Sequence, residues 1–381
     1  MWIQFFYMLP MLVCLFWAVT LLVDYLSGRS RAVLALHVFM LMTTVLYFGH
    51  YVFFTWQPGI LALSDTLYGM ANLAVYPLYL IYIIRLTHER VRPWQYLILL
   101  PALLALVAYG TLYALMTPQE TERFLSLYLR HNQTSGLGGA ALWQAGAHIV
   151  SRYLFVALVV IVLLRGYAYL SAFERQVAAL YADIEGRTLR PIRIILHLLL
   201  FTSLASVVFS LVGRYSFYDS ALLVALPSVM FSMLLYCIGY AGHRPMFFSD
   251  DLLAEQQATG MVTAGAPSDR QEYVSQTRMK ALAEDIERLM LDEQFFLRHD
   301  VRVADVARQL GTNGKYVSIA INQVLDMSFT DYVNRMRIGH ACELHRKQPK
   351  LTVSEVARRS GYDSMQSFYR NLKRWGKDMW V

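Results

Sequence analysis

Seven apolar runs, each about 20 residues long, fill the first two thirds of the chain: about 4–26, 32–54, 66–86, 94–116, 147–170, 193–213 and 219–240. A helix of that length spans the hydrocarbon core of a bilayer. In lipid the backbone must satisfy its own hydrogen bonds, so runs of this kind are predicted to be helices. Of the whole chain, 56% is apolar and only 16% charged, against about 25% charged in an average globular protein. The charge is uneven, because roughly the last hundred residues are polar. Two domains follow, a membrane domain over 1–243 and a polar domain over 277–381, with a linker over 244–276.

Basic residues in the connections set an orientation. Arg29 and Arg31 follow the first run, Arg85, Arg90 and Arg92 the third, and Arg165, Arg175, Arg187, Arg190 and Arg193 surround the segment after the fifth. The alternate connections are poorer in basic residues. By the positive-inside rule the N-terminus is outside and the C-terminus in the cytoplasm. The competing reading takes the first run as a cleaved signal peptide, leaving six spans and an external C-terminus. That run lacks a positive start, and its basic residues come after it.

Polar groups in the spans are informative because lipid makes them costly. They are His37, His50, Asn72, His148, Arg152 and His197, with Asp65 at the outer start of the third span. His50, Asp65, His148 and Arg152 share the outer depth and form a candidate signal pocket, unless a neighbouring helix satisfies each of them. The many aromatics near the span ends read as packing and interfacial anchors rather than a ligand cage. ETERFLSLYLR, in the outer segment 117–146, is expected to form a short amphipathic helix lying on the membrane. Segment 171–192 repeats Phe173, Val177, Leu180 and Tyr181 at helical spacing. It reads as an inward extension of the fifth span, offering a dimerisation surface or a solvated face.

Three isolated cysteines, Cys14, Cys237 and Cys342, give neither a zinc site nor a disulfide framework. No metal, cofactor, phosphate-loop or nucleophile motif is present, so an enzyme is not expected.

The polar domain carries the second signal. Val303, Val306, Ala307 and Leu310 lie on one helical face, Gly311–Gly314 breaks it, and Val317, Ala320, Ile321 and Val324 begin another. The pattern then repeats. Val353, Val356 and Ala357 line a helix, Gly361 turns the chain, and Phe368 with Leu372 anchor the next helix. Thr352 and Glu355 have capping-box spacing. A short helix, a turn and a basic second helix make a motif that places its second helix in the DNA major groove.

Two such patterns about 50 residues apart are more specific than one. GTNGKYVSIAIN, SFTDYVNRMRI, TVSEVARRSGY-DS and SFYRNLK resemble the DNA-binding domain of the AraC family of bacterial transcription regulators, over roughly residues 278–375. The resemblance implies an all-α cytoplasmic domain with two helix-turn-helix units. A connecting helix at about Asp331–His345 would hold the two recognition helices about one DNA turn apart. It implies base or backbone contacts for Lys315, Ser318, Ile319, Gln366, Tyr369 and Arg370. Asn322 points the same way, and Lys373 and Arg374 are candidates for phosphate attraction. Residues 341–381 hold nine basic and four acidic residues, whereas 275–340 hold nine of each. The phosphate attraction is therefore expected mostly from the second unit.

Two departures stand out. Asp326 sits where the family usually has a turn glycine. The end, NLKRWGKDMWV, has no counterpart of the family's closing helix, which bears on the stability of the second unit.

The whole is an all-α chain in which seven transmembrane helices precede an AraC-type domain. It is expected to be a membrane-bound, sequence-specific DNA-binding transcription regulator of the bacterial inner membrane. The membrane domain would sense a signal and pass a two-state change through 241–277. The partners are promoter DNA, the bilayer, a signal ligand or membrane partner, a second copy of the chain and, by family resemblance, RNA polymerase. The alternatives are a transporter or channel with a regulatory DNA-binding tail, and spans that only anchor.

Overall fold

The fold was obtained as a computed structural model that describes residues 2–88, 91–184, 189–212, 221–244, 276–376 and 379–380. The chain divides into two units: residues 1–170 with 189–246, and 171–188 with 247–381. The regular elements among the described residues are helices. Most of the expected linker, 244–276, lies outside the described residues.

The first unit contains α1 (Trp2–Leu26), α2 (Arg31–Thr55), α3 (Pro58–Thr87), α4 (Leu100–Leu115), α5 (Pro118–Arg123), most of α6 (Gly139–Leu180), α7 (Arg190–Val212) and α8 (Ala221–His243). Six of the described helical stretches are long and apolar enough to cross a membrane; α7 contributes a shorter apolar stretch, Pro191–Leu204. The helix α2 packs between α1 and α3, α8 packs on α1, and α4 packs on α3. Of the six apolar windows, that of α3 is 72% buried and the others 17–39%, which makes α3 the central helix. Large apolar side chains such as Phe16, Val19, Leu63, Val107, Leu164 and Phe201 stay exposed. An apolar exterior of this extent is unusual for a soluble monomer. Cys14 is buried, whereas Cys237 is exposed.

Small residues bring helices close where rings must pass. A methyl group at Gly69 of α3 would meet the ring of Tyr109 on α4. Tyr109 is thereby seated against α3, with its hydroxyl donating to Ser151 Oγ of α6 at 3.0 Å.

The expected amphipathic helix at ETERFLSLYLR does not lie on a surface. α5 ends at Arg123, and Phe124–Leu129 forms a single π-helical turn. Phe124, Leu125, Tyr128 and Leu129 join one buried cluster with Val52, Phe53, Leu61, Ala141 and Ala145. Four apolar side chains in six residues find their burial against the ends of the neighbouring helices.

In the second unit, α9 (Gln276–Asp292) buries Met279, Ala283, Ile286 and Met290 and packs on α11 (Gly314–Val324). The helix α10 (Val303–Gln309) precedes α11, and α12 (Phe329–Lys347) leads to α13 (Val353–Arg359) and α14 (Met365–Trp375). Each short helix is followed by a left-handed glycine, Gly311 at φ 59° and Gly361 at φ 83°. Asp326 takes the same region at φ 49°, in the turn before α12. Asn313 caps α11, Ser328 caps α12, Thr352 and Glu355 form a full capping box on α13, and Ser364 caps α14. Around α12, Ile338, Ala341, Val356, Ala357, Tyr362 and Phe368 form one core, with Leu372, Trp375 and Trp380 packed on it. Trp380 stacks on His345 with centroids 4.5 Å apart. Val324, expected in the core, is 38% exposed, because Val317, Ala320 and Ile321 already fill the face α11 turns inward.

The segment 171–184 departs most from expectation. Phe173, Val177, Leu180 and Tyr181 are all buried, and 171–188 belongs to the second unit. The side-chain hydroxyl of Thr330 donates to the carbonyl of Ala178 at 2.9 Å, and Asn334 Nδ2 to that of Ala182, also at 2.9 Å. This stripe is neither a solvated face nor open for dimerisation, because its four side chains are buried.

Gly361 gives a direct test of the second turn. A Cβ there would lie 2.9 Å from the Leu297 carbonyl oxygen and 3.0 Å from Arg337 Nε. The left-handed conformation alone costs a side chain about 1–2 kcal/mol. Gly361→Ala is expected to destabilise the second unit by at least that much, read as faster amide hydrogen exchange in α13 and α14 of the full-length protein. Unchanged exchange would show that the turn does not need glycine.

Candidate nucleic-acid interface and buried polar cluster

The second helices of the two helix pairs present the expected residues unequally. On α11, Lys315 and Asn322 are exposed, while Ser318 and Ile319 are half-buried. Asn322 Nδ2 donates to Ser318 Oγ at 3.3 Å, so these two side chains are already in contact. The Asn313 side chain accepts from Lys315 N at 2.8 Å, which fixes the first turn below the lysine. On α14, Gln366, Arg370 and Lys373 are exposed and Tyr369 is 54% exposed, while Ser367, Phe368 and Asn371 on the other face are buried. Arg370 Nη2 donates to Ser367 Oγ at 3.2 Å, which holds the guanidinium along the helix.

Arg374 is engaged differently. Its guanidinium meets Asp331 of α12 at two points, Nη1–Oδ1 at 2.6 Å and Nη2–Oδ2 at 3.0 Å. A two-point arginine–carboxylate bridge fixes geometry as well as charge. Arg374 thus ties α14 to α12 rather than offering an open fork. Arg358 and Arg359 at the end of α13 are exposed, and Arg359 is 3.5 Å from Gln348 Oε1.

The ionisable groups beneath this surface are tuned by the fold. Hydrogen bonds from Thr352 hold the Glu355 carboxyl below its usual range, so the capping box stays charged at neutral pH. Burial lowers the His340 imidazole, whose Nδ1 lies 3.1 Å from Ser360 Oγ on the chain leaving α13. Burial raises the Tyr332 phenol to about 12, with Glu287 adding to the effect.

The four residues of the candidate signal pocket do not converge on one point. Asp65 and His148 meet, with His148 Nε2 3.0 Å from Asp65 Oδ2 and both side chains largely buried. The hydroxyl of Tyr113 donates to the same oxygen at 2.8 Å. The imidazole stacks on Tyr109 at 4.4 Å, with Phe124 and Tyr128 at 5.6 Å. Gln144, fully buried, lies on the same helix as His148, one turn away. His50 packs its ring against Tyr47, Tyr68 and Phe54. Arg152 is exposed and donates to Asn132 Oδ1 at 2.8 Å. Tyr109, Tyr113 and Gln144 were missed from sequence. Tyr109 and Tyr113 looked like packing aromatics, and their four-residue spacing on α4 was the one available signal. Of the remaining polar span residues, His37 places Nδ1 2.8 Å from the Ala18 carbonyl oxygen. Among the described residues, no group of three or more His, Cys, Asp or Glu is placed to hold a metal ion.

Residues 306–377 match a family model described as a helix-turn-helix domain, of the AraC type. The matched stretch runs from within α10 to just past α14, and it supports an AraC-family DNA-binding domain in this part of the chain. No curated protein and no solved structure matches the chain.

The buried Asp65 pair carries a measurable consequence. Asp65→Ala strands the hydroxyl of Tyr113 and the ring nitrogen of His148. Leaving a buried polar group unpaired costs about 1–3 kcal/mol. The purified full chain in lipid nanodiscs should melt several degrees lower, and Asp65→Asn, which keeps an acceptor, should recover part of the loss. Wild-type melting of Asp65→Ala would show that the cluster contributes nothing to the bundle.

Proposed function

We propose that this chain is a membrane-bound, sequence-specific DNA-binding transcription regulator, not an enzyme, whose apolar helices sense a signal and control the polar domain. The observation that carries the reading is the helix-turn-helix match over 306–377 in a chain with six long apolar helices. Both helix pairs of the second unit leave their second helix exposed on one side, as two DNA-reading units require. α7 is 23 residues long, which at 1.5 Å per residue reaches about 34 Å, enough for a seventh span. Seven spans with the basic connections inside put the C-terminus in the cytoplasm, beside DNA.

The connecting helix α12 has 19 residues and a length of about 28 Å, close to the repeat of one DNA turn at about 34 Å. In this reading Lys315, Gln366, Tyr369 and Arg370 meet base edges or backbone. Gln366 suits adenine and Arg370 guanine. Lys373, Arg358 and Arg359 neutralise phosphates, and Arg374 serves chiefly to position α14. Ser318, Ile319 and Asn322 complete the α11 face. The bilayer, a second copy of the chain and RNA polymerase are the further partners that the family resemblance and the apolar helices suggest. The Asp65–His148–Tyr113 cluster is the part of the proposed signal site with direct contacts behind it. His50 and Arg152 belong to its surroundings.

Recovering genomic DNA cross-linked to the full-length protein in cells tests the reading directly. A small set of promoter-proximal peaks is the expected result, and a profile indistinguishable from an untagged control would overturn it. On a recovered duplex, log affinity should fall with log salt by about 0.9 per phosphate contact. Lys373→Ala should reduce that slope by about one unit across all sequences. Gln366→Ala should lose about 1–3 kcal/mol on the best site and little on others. An affinity flat in salt is incompatible with this surface. A reporter that ignores deletion of residues 1–243 would reduce the spans to an anchor.

A further inference from the structure

The last turns of α6 end inside the second unit, and their carbonyls have unusual partners. A helix leaves its final four carbonyls without intrahelical donors. Here the single hydroxyl proton of Thr330 is shared between the carbonyl of Ala178 in the last turn and that of Tyr181 just past it, and the amide of Asn334 donates to the carbonyl of Ala182, also past the helix end. Ala182 N donates to the Val301 carbonyl at 2.9 Å, and Tyr181 pairs with Arg302 as an antiparallel bridge. Arg302 is the N-cap residue of α10 and lies 5.6 Å over the Tyr181 ring. Phe173, Val177, Leu180 and Tyr181 bury their side chains along the same stretch. Asn334 is also used on its other side, where its Oδ1 accepts from Asn371 Nδ2 of α14 at 3.1 Å. The backbone at Ala182 is therefore one side-chain amide away from the second candidate recognition helix.

We propose that residues 171–182 are a strap, continuous with the apolar helix α6, whose seat on Thr330 and Asn334 holds the DNA-binding domain in its DNA-competent form. With the strap seated, Lys315, Gln366, Tyr369 and Lys373 are exposed, so the seat does not block the reading surface. It fixes the N-cap of α10 through Val301 and Arg302, and the placement of α14 through Asn334 and Asn371. A displacement of α6 along its axis withdraws Ala178–Ala182 from their donors and loosens both. This route is distinct from the 241–277 linker. The inference rests on the DNA-binding reading above, and its test separates the two.

Hydrogen exchange and duplex binding are measured on the full-length protein in lipid nanodiscs, with a genomic duplex recovered as described above. In the wild-type chain the amides of 173–182 should be protected to the same extent as those of α12. Thr330→Val removes the donor while keeping the shape, and should speed exchange in 173–182 and weaken duplex binding about three- to tenfold. Thr330→Ser keeps the donor and should bind as wild type. Phe173→Ser with Val177→Ser unseats the strap from its own side without touching Asn334 or Asn371, and should weaken binding at least as much while α12 stays protected. Unprotected amides at 173–182 in the wild-type chain overturn the seat. Fast exchange there with unchanged duplex affinity overturns the coupling. A wild-type chain that binds no duplex overturns the DNA-binding reading and the coupling with it, while the seat is still decided by the exchange data.

Discussion

The second unit depends on one buried charge. Arg337 is only 2% exposed, yet it carries a guanidinium into the centre of the domain. Burying such a group costs several kcal/mol unless its donors are met. Nε donates to the Phe296 carbonyl and Nη2 to the Arg298 carbonyl, both at 2.7 Å. Burial lowers its pKa, while the Tyr362 phenol and the carboxylates of Asp183, Asp363 and Asp300 oppose that shift. An arginine stays charged throughout this range. The guanidinium lies 5.6 Å over the Tyr362 ring. It therefore joins the loop before α10, the connecting helix α12 and the turn after α13. The absence of a side chain at Gly361 belongs to the same arrangement, since a Cβ there would press on Arg337 Nε. Two helix pairs that local sequence treats as separate are thus held in one frame by a residue that belongs to neither.

The first unit solves the opposite problem. Its exterior is apolar, so apolar burial alone does not separate its inside from its outside, and close packing with internal hydrogen bonds distinguishes the interior. One group of polar side chains is drawn inward and paired across helices. Asp65 on α3 takes Tyr113 of α4 and His148 of α6 on a single oxygen. Tyr109 sits against glycine on one side and stacks on His148 on the other. The most buried helix carries the one buried carboxylate of this cluster, so a change at Asp65 is felt by three helices together.

The legible parts of this fold were those written in local periodicity and capping. The apolar runs, the glycine turns at Gly311 and Gly361, the capping box of Thr352 and Glu355 and the helix after Ser328 all follow from neighbours within a few residues. What sequence did not reveal depends on contacts across long separations. Phe124–Leu129 has the composition of an interfacial helix, and only its proximity to Val52, Phe53 and Ala141 turns it into core. The Phe173–Tyr181 stripe has the pattern of a sticky surface, and only Thr330 and Asn334 identify its partner. Arg374 reads as a free surface cation, and its two-point bridge to Asp331, 43 residues away, has no local signal. Asp65 and His148, which share the outer depth in the sequence, lie 3.0 Å apart. The tyrosines that complete them were not legible, because an aromatic in a span has many reasons to be there.

The lopsided charge of the polar domain gains a structural reason from these contacts. The first pair is braced by apolar packing of α9 on α11 and by the backbone links at Val301 and Ala182. The second pair is braced by polar links to α12, namely Arg374 to Asp331, Asn371 to Asn334 and Tyr362 to the Asn334 carbonyl. A helix held by buried hydrogen bonds keeps its angle sharply, because each bond fails quickly with misalignment. The exposed Arg358 and Arg359 of α13 and Arg370 and Lys373 of α14 are then not needed to order the helix. In this arrangement the basic side chains stay on the exposed face, the polar links set the angle of α14, and Asn334 joins α12 to both α14 and the end of the 171–182 stretch.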